Sequence, residues 1–217
     1  MVLNSQRENI NPLLTKFAKI FLVFNPDTLT WISLIFAFIA GLFFYFSSPK
    51  NELSNFYLYG ASLFVFLNGF FDAIDGKVAK LTNKTSLRGD FLDHAIDRYA
   101  DVLILGGIAI SSWIRYPIIG ILAIVGMLLT SYMGTQAQAV GYKRDYSGLL
   151  GRADRLVLLM IIPLIQHILI IYNIETIYIS DLINFNLLEW LLIYFAVMGN
   201  FTAIQRFVAT LRWFNKK

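Results

Sequence analysis

Asp72-Ala73-Ile74-Asp75-Gly76-Lys77-Val78-Ala79-Lys80, followed after eight residues by Gly89-Asp90-Phe91-Leu92-Asp93-His94-Ala95-Ile96-Asp97, sets acids at helical spacing in an apolar chain. Asp72 and Asp75 stand three residues apart and Asp93 and Asp97 four apart, so on helices each pair shares one face. The first pair closes an apolar segment at 57–79 and the second opens another at 90–112. Ionised carboxylates near a bilayer are costly unless something neutralises them, so they mark a functional site. Four acids on two facing helices, with no buried base expected beside each, call for divalent cations.

The rest of the chain supports a membrane reading. It has 217 residues, is 57% hydrophobic and has a mean hydropathy of +0.62, well above a soluble domain of this length. Six segments reach the roughly 20 apolar residues that span a bilayer: about 28–47, 57–79, 90–112, 117–140, 153–172 and 187–211. Backbone groups in lipid must be satisfied within each segment. The fold expected is therefore an all-α polytopic membrane protein, one domain over 1–217, with 1–27 as a juxtamembrane segment. No internal repeat or low-complexity linker divides it. The absence of cysteine removes disulfides and thiolate ligands from consideration.

Residues 12–24 carry Leu13, Leu14, Phe17, Ile20 and Phe21 at helical spacing, with Lys16 and Lys19 between them. That pattern suits an amphipathic helix at the membrane surface; a plain leader into the first span is the alternative. The first 27 residues lack the layout of a cleaved signal peptide. With both termini cytoplasmic, 16 of the 18 basic residues fall on inner segments, and Lys50 and Arg115 alone fall outside. The net charge of +4 is thus a property of the inner face and gives no sign of nucleic-acid binding. The same orientation puts the aspartates on the cytoplasmic side of a cell (plasma) membrane, where nucleotides are available.

Oxygen ligands select hard cations such as Mg²⁺ or Mn²⁺, and two such ions can grip a diphosphate and stabilise charge on its leaving oxygen. Gly76 and Gly89 leave room for a ligand to approach. Lys77, Lys80, Lys84 and Arg88 offer cations to phosphate oxygens.

The run 72–97 resembles the signature of the CDP-alcohol phosphotransferases, D-x2-D-G-x2-A-R-x8-G-x3-D-x3-D, with Lys80 in place of the usual arginine. Six spans are also that family's architecture. The resemblance implies that CMP is displaced from a CDP-linked lipid by the hydroxyl of a small polar alcohol. It implies that Asp72, Asp75 and Asp93 bind metal ions with Asp97 assisting, and that Asp97 is also the general base. Gly76, Ala79, Lys80 and Gly89 would contact the cytidine nucleotide. Asn25-Pro26-Asp27-Thr28-Leu29-Thr30 resembles the family's element before the first span, and brings Thr30 to the same site. Lysine at position 80 keeps a cation but loses a bidentate fork, so weaker nucleotide affinity is expected.

The acceptor is read elsewhere. Arg152 and Arg155 stand three apart at the start of the fifth span, and Gln205-Arg206 interrupts the sixth. Three arginines from two helices suit a phosphomonoester. Arg-x2-Arg-Leu, Gln-Arg and Gly134-Thr135-Gln136-Ala137-Gln138 resemble the branch of the family that makes phosphatidylinositol phosphate, above all its archaeal members. The resemblance implies inositol 1-phosphate as acceptor, held by Arg152, Arg155 and Arg206, with CDP-archaeol or CDP-diacylglycerol as donor and a homodimeric enzyme. Gly134 and Gln136 stand where bacterial enzymes of the branch carry basic residues, so glycerol 3-phosphate stays open as acceptor.

Simpler readings accompany these. The arginines also suit snorkelling or positive-inside anchors. Asp101 suits a structural pair or an orienter of Arg98. His94 steps off the face of the acids and reads as surface, His167 reads as structural, and Trp31, Trp113, Trp190 and Trp213 fall near expected membrane interfaces. A cation transporter would need polar groups through the membrane depth, whereas the outer halves here are almost purely apolar. A lipid-phosphate hydrolase would have no use for the three distal arginines.

Overall fold

The computed structural model describes residues 7–49, 55–142, 150–180 and 183–215, with side chains from residue 11 onward. Of the basic residues that set the orientation, Lys50, Lys143, Arg144, Lys216 and Lys217 lie outside the described residues, as does the Arg7 side chain.

The chain forms helices α1 (Arg7–Ile20), α2 (Pro26–Phe46), α3 (Tyr57–Leu81), α4 (Leu87–Ala109), α5 (Pro117–Ala139), α6 (Arg152–Ile171) and α7 (Leu187–Phe214). Their starts follow from local chemistry. Asn25 caps α2 by accepting the Asp27 amide at 3.3 Å, with Pro26 at the first helical position. Ser86 caps α4 by accepting the Gly89 amide at 3.0 Å. Asn186 and Glu189 form a capping box on α7.

Among the described residues, five helices, α2, α3, α5, α6 and α7, are long and apolar enough to cross a membrane. The expected sixth span, α4, is 23 residues long but fails on composition, because Arg88, Asp90, Asp93, Asp97, Arg98 and Asp101 crowd its first two thirds. It nonetheless packs among the others. Helix contacts run α2–α3–α6–α7–α5–α4 and back to α2, closing a ring. Small residues let the backbones approach: Gly41 of α2 meets Gly107 of α4, and Gly126 of α5 meets Gly199 of α7, where neither pair leaves room for a Cβ. Phe44, Leu58, Ile104, Leu192 and Phe195 fill the core.

Helix α1 does more than lie on a surface. Leu14, Ala18 and Phe21 pack against Phe70, Phe71, Ile74 and Val78 of α3, and Lys77 hydrogen-bonds Asn11. Leu13 and Ile20 stay exposed on its other side. The helix is therefore clamped to the part of α3 that carries Asp72 and Asp75.

At the opposite end of the ring, Trp113 is 1% exposed and donates from Nε1 to Ser47 Oγ at 2.7 Å. It is a core residue and not an interfacial anchor, because the turn after α4 folds it back into the bundle. Glu189, fully buried, pairs there with Arg115 at 3.3 Å. Between α6 and α7 a small antiparallel hairpin joins β1 (Ile177–Ser180) to β2 (Ile183–Phe185), an element the hydropathy reading left as loop.

Candidate active site

Three helix starts and one helix end meet on the α1 side of the ring. Helix α3 ends its last turns with Asp72 and Asp75, α4 begins with Asp93 and Asp97, and α2 and α6 bring Thr30 and Arg152. Asp75 is buried and accepts the Thr30 hydroxyl at 2.5 Å. Asp27 of α2 lies 3.4 Å from Arg88, tying the α2 start to the α4 start.

The acids were expected without bases. The structure corrects this: Arg152 places Nη1 2.6 Å from Asp72 Oδ2 and Nη2 2.6 Å from Asp97 Oδ1. One guanidinium thus bridges α3 and α4. Its planar fork presents a separate nitrogen to each carboxylate in a fixed plane, where lysine would offer a single point charge. The pairing continues along α4. Arg98 Nη2 lies 3.4 Å from Asp97 Oδ2 and 3.7 Å from Asp101 Oδ2, and Asp101 Oδ2 receives Arg155 Nη1 at 3.0 Å. Asp72, Arg152, Asp97, Arg98, Asp101 and Arg155 form an alternating chain of three acids and three bases.

Asp93 stands at the open edge with its side chain 36% exposed. His94 is half-buried between Asp90 and Asp93, at 3.4 Å and 3.5 Å, and so belongs to the site's rim rather than to free surface. Ligand atoms of Asp93, His94 and Asp97 lie within 4.8 Å of one another. Asp72 joins this group through Arg152, and Asp75 stands apart on Thr30. Asp72 Oδ1 is buried with no hydrogen-bond partner among the described residues. A carboxylate-rich set with an unmatched buried oxygen fits a hard divalent cation.

The nucleotide candidates fall beside this cluster. A Cβ on Gly76 would meet nothing within 4 Å, so open space adjoins Asp75. Lys80 is exposed on the last turn of α3 and Ala79 is half-buried. Gly89 lies against the Ser86 cap, near Asp27.

A model of the CDP-alcohol phosphatidyltransferase family matches residues 23–202, a span that holds every one of these side chains. The chain belongs to that family. This phosphatidyltransferase is 31% identical to archaetidylinositol phosphate synthase of Pyrococcus horikoshii over 144 residues, 66% of this chain and 71% of that protein. It is 30% identical to phosphatidylinositol phosphate synthase of Streptomyces avermitilis, over 63% of this chain and 55% of that one. Crystal structures of the Mycobacterium tuberculosis phosphatidylinositol phosphate synthase share the fold. The form with CDP-DAG bound gives a TM-score of 0.69 at 21% identity, covering 92% of this chain and 94% of that chain. The form in complex with manganese and citrate also gives 0.69, at 20% identity.

The protein is accordingly a multi-pass membrane phosphotransferase of phospholipid synthesis. Of the three arginines singled out in the sequence, Arg152 sits on Asp72 and Asp97, and Arg155 is buried on Asp101, with Nη1 3.0 Å from Met127 Sδ. Arg206 donates to the Thr130 carbonyl at 2.6 Å, one turn along α5 from Met127. Sequence reasoning left Arg98 outside the site. The signal for it was the continuation of the acid spacing from Asp93 and Asp97 to Asp101, which frames Arg98 on the same helix.

Proposed function

We propose that this phosphatidyltransferase moves the lipid-phosphate group of CDP-archaeol or CDP-diacylglycerol onto inositol 1-phosphate and releases CMP. The observation that carries the acceptor is the pair of guanidinium groups on the first turn of α6. Arg152 and Arg155 are both largely enclosed, both lie in the charge chain that includes Asp97, and each has a buried Nε–H with no acceptor among the described residues. Buried donors without partners are costly, and a phosphate oxygen satisfies them. Arg206, on the neighbouring helix, would complete the pocket.

In this reading Asp72, Asp75, Asp93 and Asp97 hold two Mg²⁺ or Mn²⁺ ions. When bound, these supply Lewis-acid stabilisation to the diphosphate. Asp97 accepts the proton of the acceptor hydroxyl as its oxygen bonds to the lipid-bearing phosphorus and the bond to CMP breaks. Arg152 and Arg98 fix the orientation of that carboxylate. Thr30, Gly76, Ala79, Lys80 and Gly89 line the nucleotide side, and the open space at Gly76 admits the ligand. The basic-residue count supports a cytoplasmic location for this end of the ring and for both termini, in a cell membrane. The enzyme works as a single membrane domain and as a homodimer.

The second reading, glycerol 3-phosphate as acceptor, rests on the uncharged Gly134 and Gln136 of α5, which stand where bacterial enzymes of the branch carry basic residues. The test is CMP release by purified protein with Mg²⁺ and a CDP-lipid against inositol 1-phosphate, glycerol 3-phosphate, free inositol and serine. Release with inositol 1-phosphate alone supports the proposal. Release with glycerol 3-phosphate instead moves the chain to the phosphatidylglycerophosphate synthases with its mechanism unchanged.

A further inference from the structure

Asp101 has no place in the family signature or in the ligand set above, yet it is 8% exposed and lies one turn beyond Asp97 on α4. It receives Arg155 Nη1 at 3.0 Å and faces Arg98 Nη2 at 3.7 Å. A carboxylate that only neutralised a buried arginine would be expected to pair with two of its nitrogens at once, because a bidentate contact satisfies two donors. Asp101 takes Arg155 through Nη1 instead. The Nε atoms of Arg155, Arg98 and Arg152 are all buried without hydrogen-bond partners among the described residues. Three unmatched donors in one ion chain are what a polyvalent anion would satisfy.

We infer that Asp101 is the positioning residue of the acceptor-phosphate site. It holds Arg155 and Arg98 by one terminal nitrogen each and leaves their Nε–H groups for phosphate oxygens. Arg98 thereby joins Arg152 and Arg155 as a phosphate contact. Asp101 itself touches no substrate; a carboxylate facing the phosphate would repel it, and here the two guanidinium groups stand between. Its negative charge also keeps three closely spaced arginines from repelling one another when the acceptor is absent. The inference rests on the phosphorylated acceptor of the proposed function.

The test is the split between acceptor and donor kinetics in Asp101→Asn and Asp101→Glu. Asp101→Asn keeps the size but removes the charge that anchors both arginines. Its KM for inositol 1-phosphate should rise on the order of tenfold or more, while the CDP-lipid KM moves less than about twofold. Asp101→Glu keeps the charge and should recover part of the acceptor affinity. Combined with Arg155→Lys, Asp101→Asn should cost less than the sum of the two single changes, because both act on one contact. Should Asp101→Asn fail to fold, Asp101→Glu is read directly against wild type, with the same acceptor-only shift expected. Equal losses for acceptor and donor, or additive single changes, would overturn the role of Asp101. A wild-type enzyme that prefers free inositol to its phosphate would instead overturn the proposed function, and this inference with it.

Discussion

Replacing Arg152 by methionine isolates the electrostatics of the site. The change keeps roughly the same apolar stem but removes the fork that lies 2.6 Å from both Asp72 and Asp97. Breaking a buried ion pair by removing one partner costs about 3–5 kcal/mol, because the other charge is left uncompensated. Arg152 keeps 21% of its side chain exposed, and Asp72 keeps 16%, so solvent screens part of that loss. A value of about 2–3 kcal/mol is reasonable after that discount. For a chain of this length it corresponds to a fall of about 4–12 °C in Tm. The assay is thermal unfolding of the purified protein in detergent, in chelator and again with Mn²⁺. A cation at 100 times its Kd stabilises the folded state by about 2.7 kcal/mol, enough to offset the loss. Mn²⁺ should therefore raise the Tm of Arg152→Met more than that of wild type, where the arginine already neutralises the same two carboxylates. If the variant is as stable as wild type in chelator, or if Mn²⁺ raises both equally, Arg152 does not neutralise these acids.

Four further outcomes follow from the geometry. Asp97→Asn should lower turnover by about 10²–10⁴-fold while CDP-lipid still binds, checked by CMP release beside ligand-dependent thermal shift; normal turnover would remove Asp97 as the base. Gly76→Ala should stabilise α3 by about 1 kcal/mol through helix propensity yet weaken CDP-lipid binding, because its Cβ enters only open space. Gly107→Ala should do the reverse, costing about 1–3 kcal/mol by pushing α4 off Gly41 with no selective effect on the donor. Lys80→Arg restores a bidentate donor and should lower the CDP-lipid KM by about three- to tenfold.

The membrane fold was legible because its cause is local. An apolar run of about 20 residues reports its own environment, and the expected segment at 117–140 became Pro117–Ala139. Segment 90–112 shifted to Leu87–Ala109, since the Ser86 cap outweighs the hydropathy minimum formed by the charged residues after it. The aspartate motif was legible for the same reason: its spacing fixes which carboxylates share a face. The partners of those carboxylates were not. Arg152 meets Asp72 across 80 residues of sequence, and no pattern within either segment names the other. The hairpin at Ile177–Phe185 escaped because three or four paired residues leave almost no periodic signal. Trp113 was assigned to the interface by composition, whereas its indole N–H found Ser47 inside the bundle. His94 was set aside by helical angle alone, although imidazole is long enough to turn back between Asp90 and Asp93.

The central claim is that the four aspartates of α3 and α4 hold divalent ions that serve the transfer. Mn²⁺ titration of the purified protein, followed by electron paramagnetic resonance, tests it most directly when wild type is set beside Asp72→Asn and Asp93→Asn. The account predicts two bound ions per wild-type chain, magnetically coupled to each other, with coupling and affinity lost in either variant. Binding that is weak in wild type, or unchanged when Asp72 or Asp93 is replaced, would contradict it.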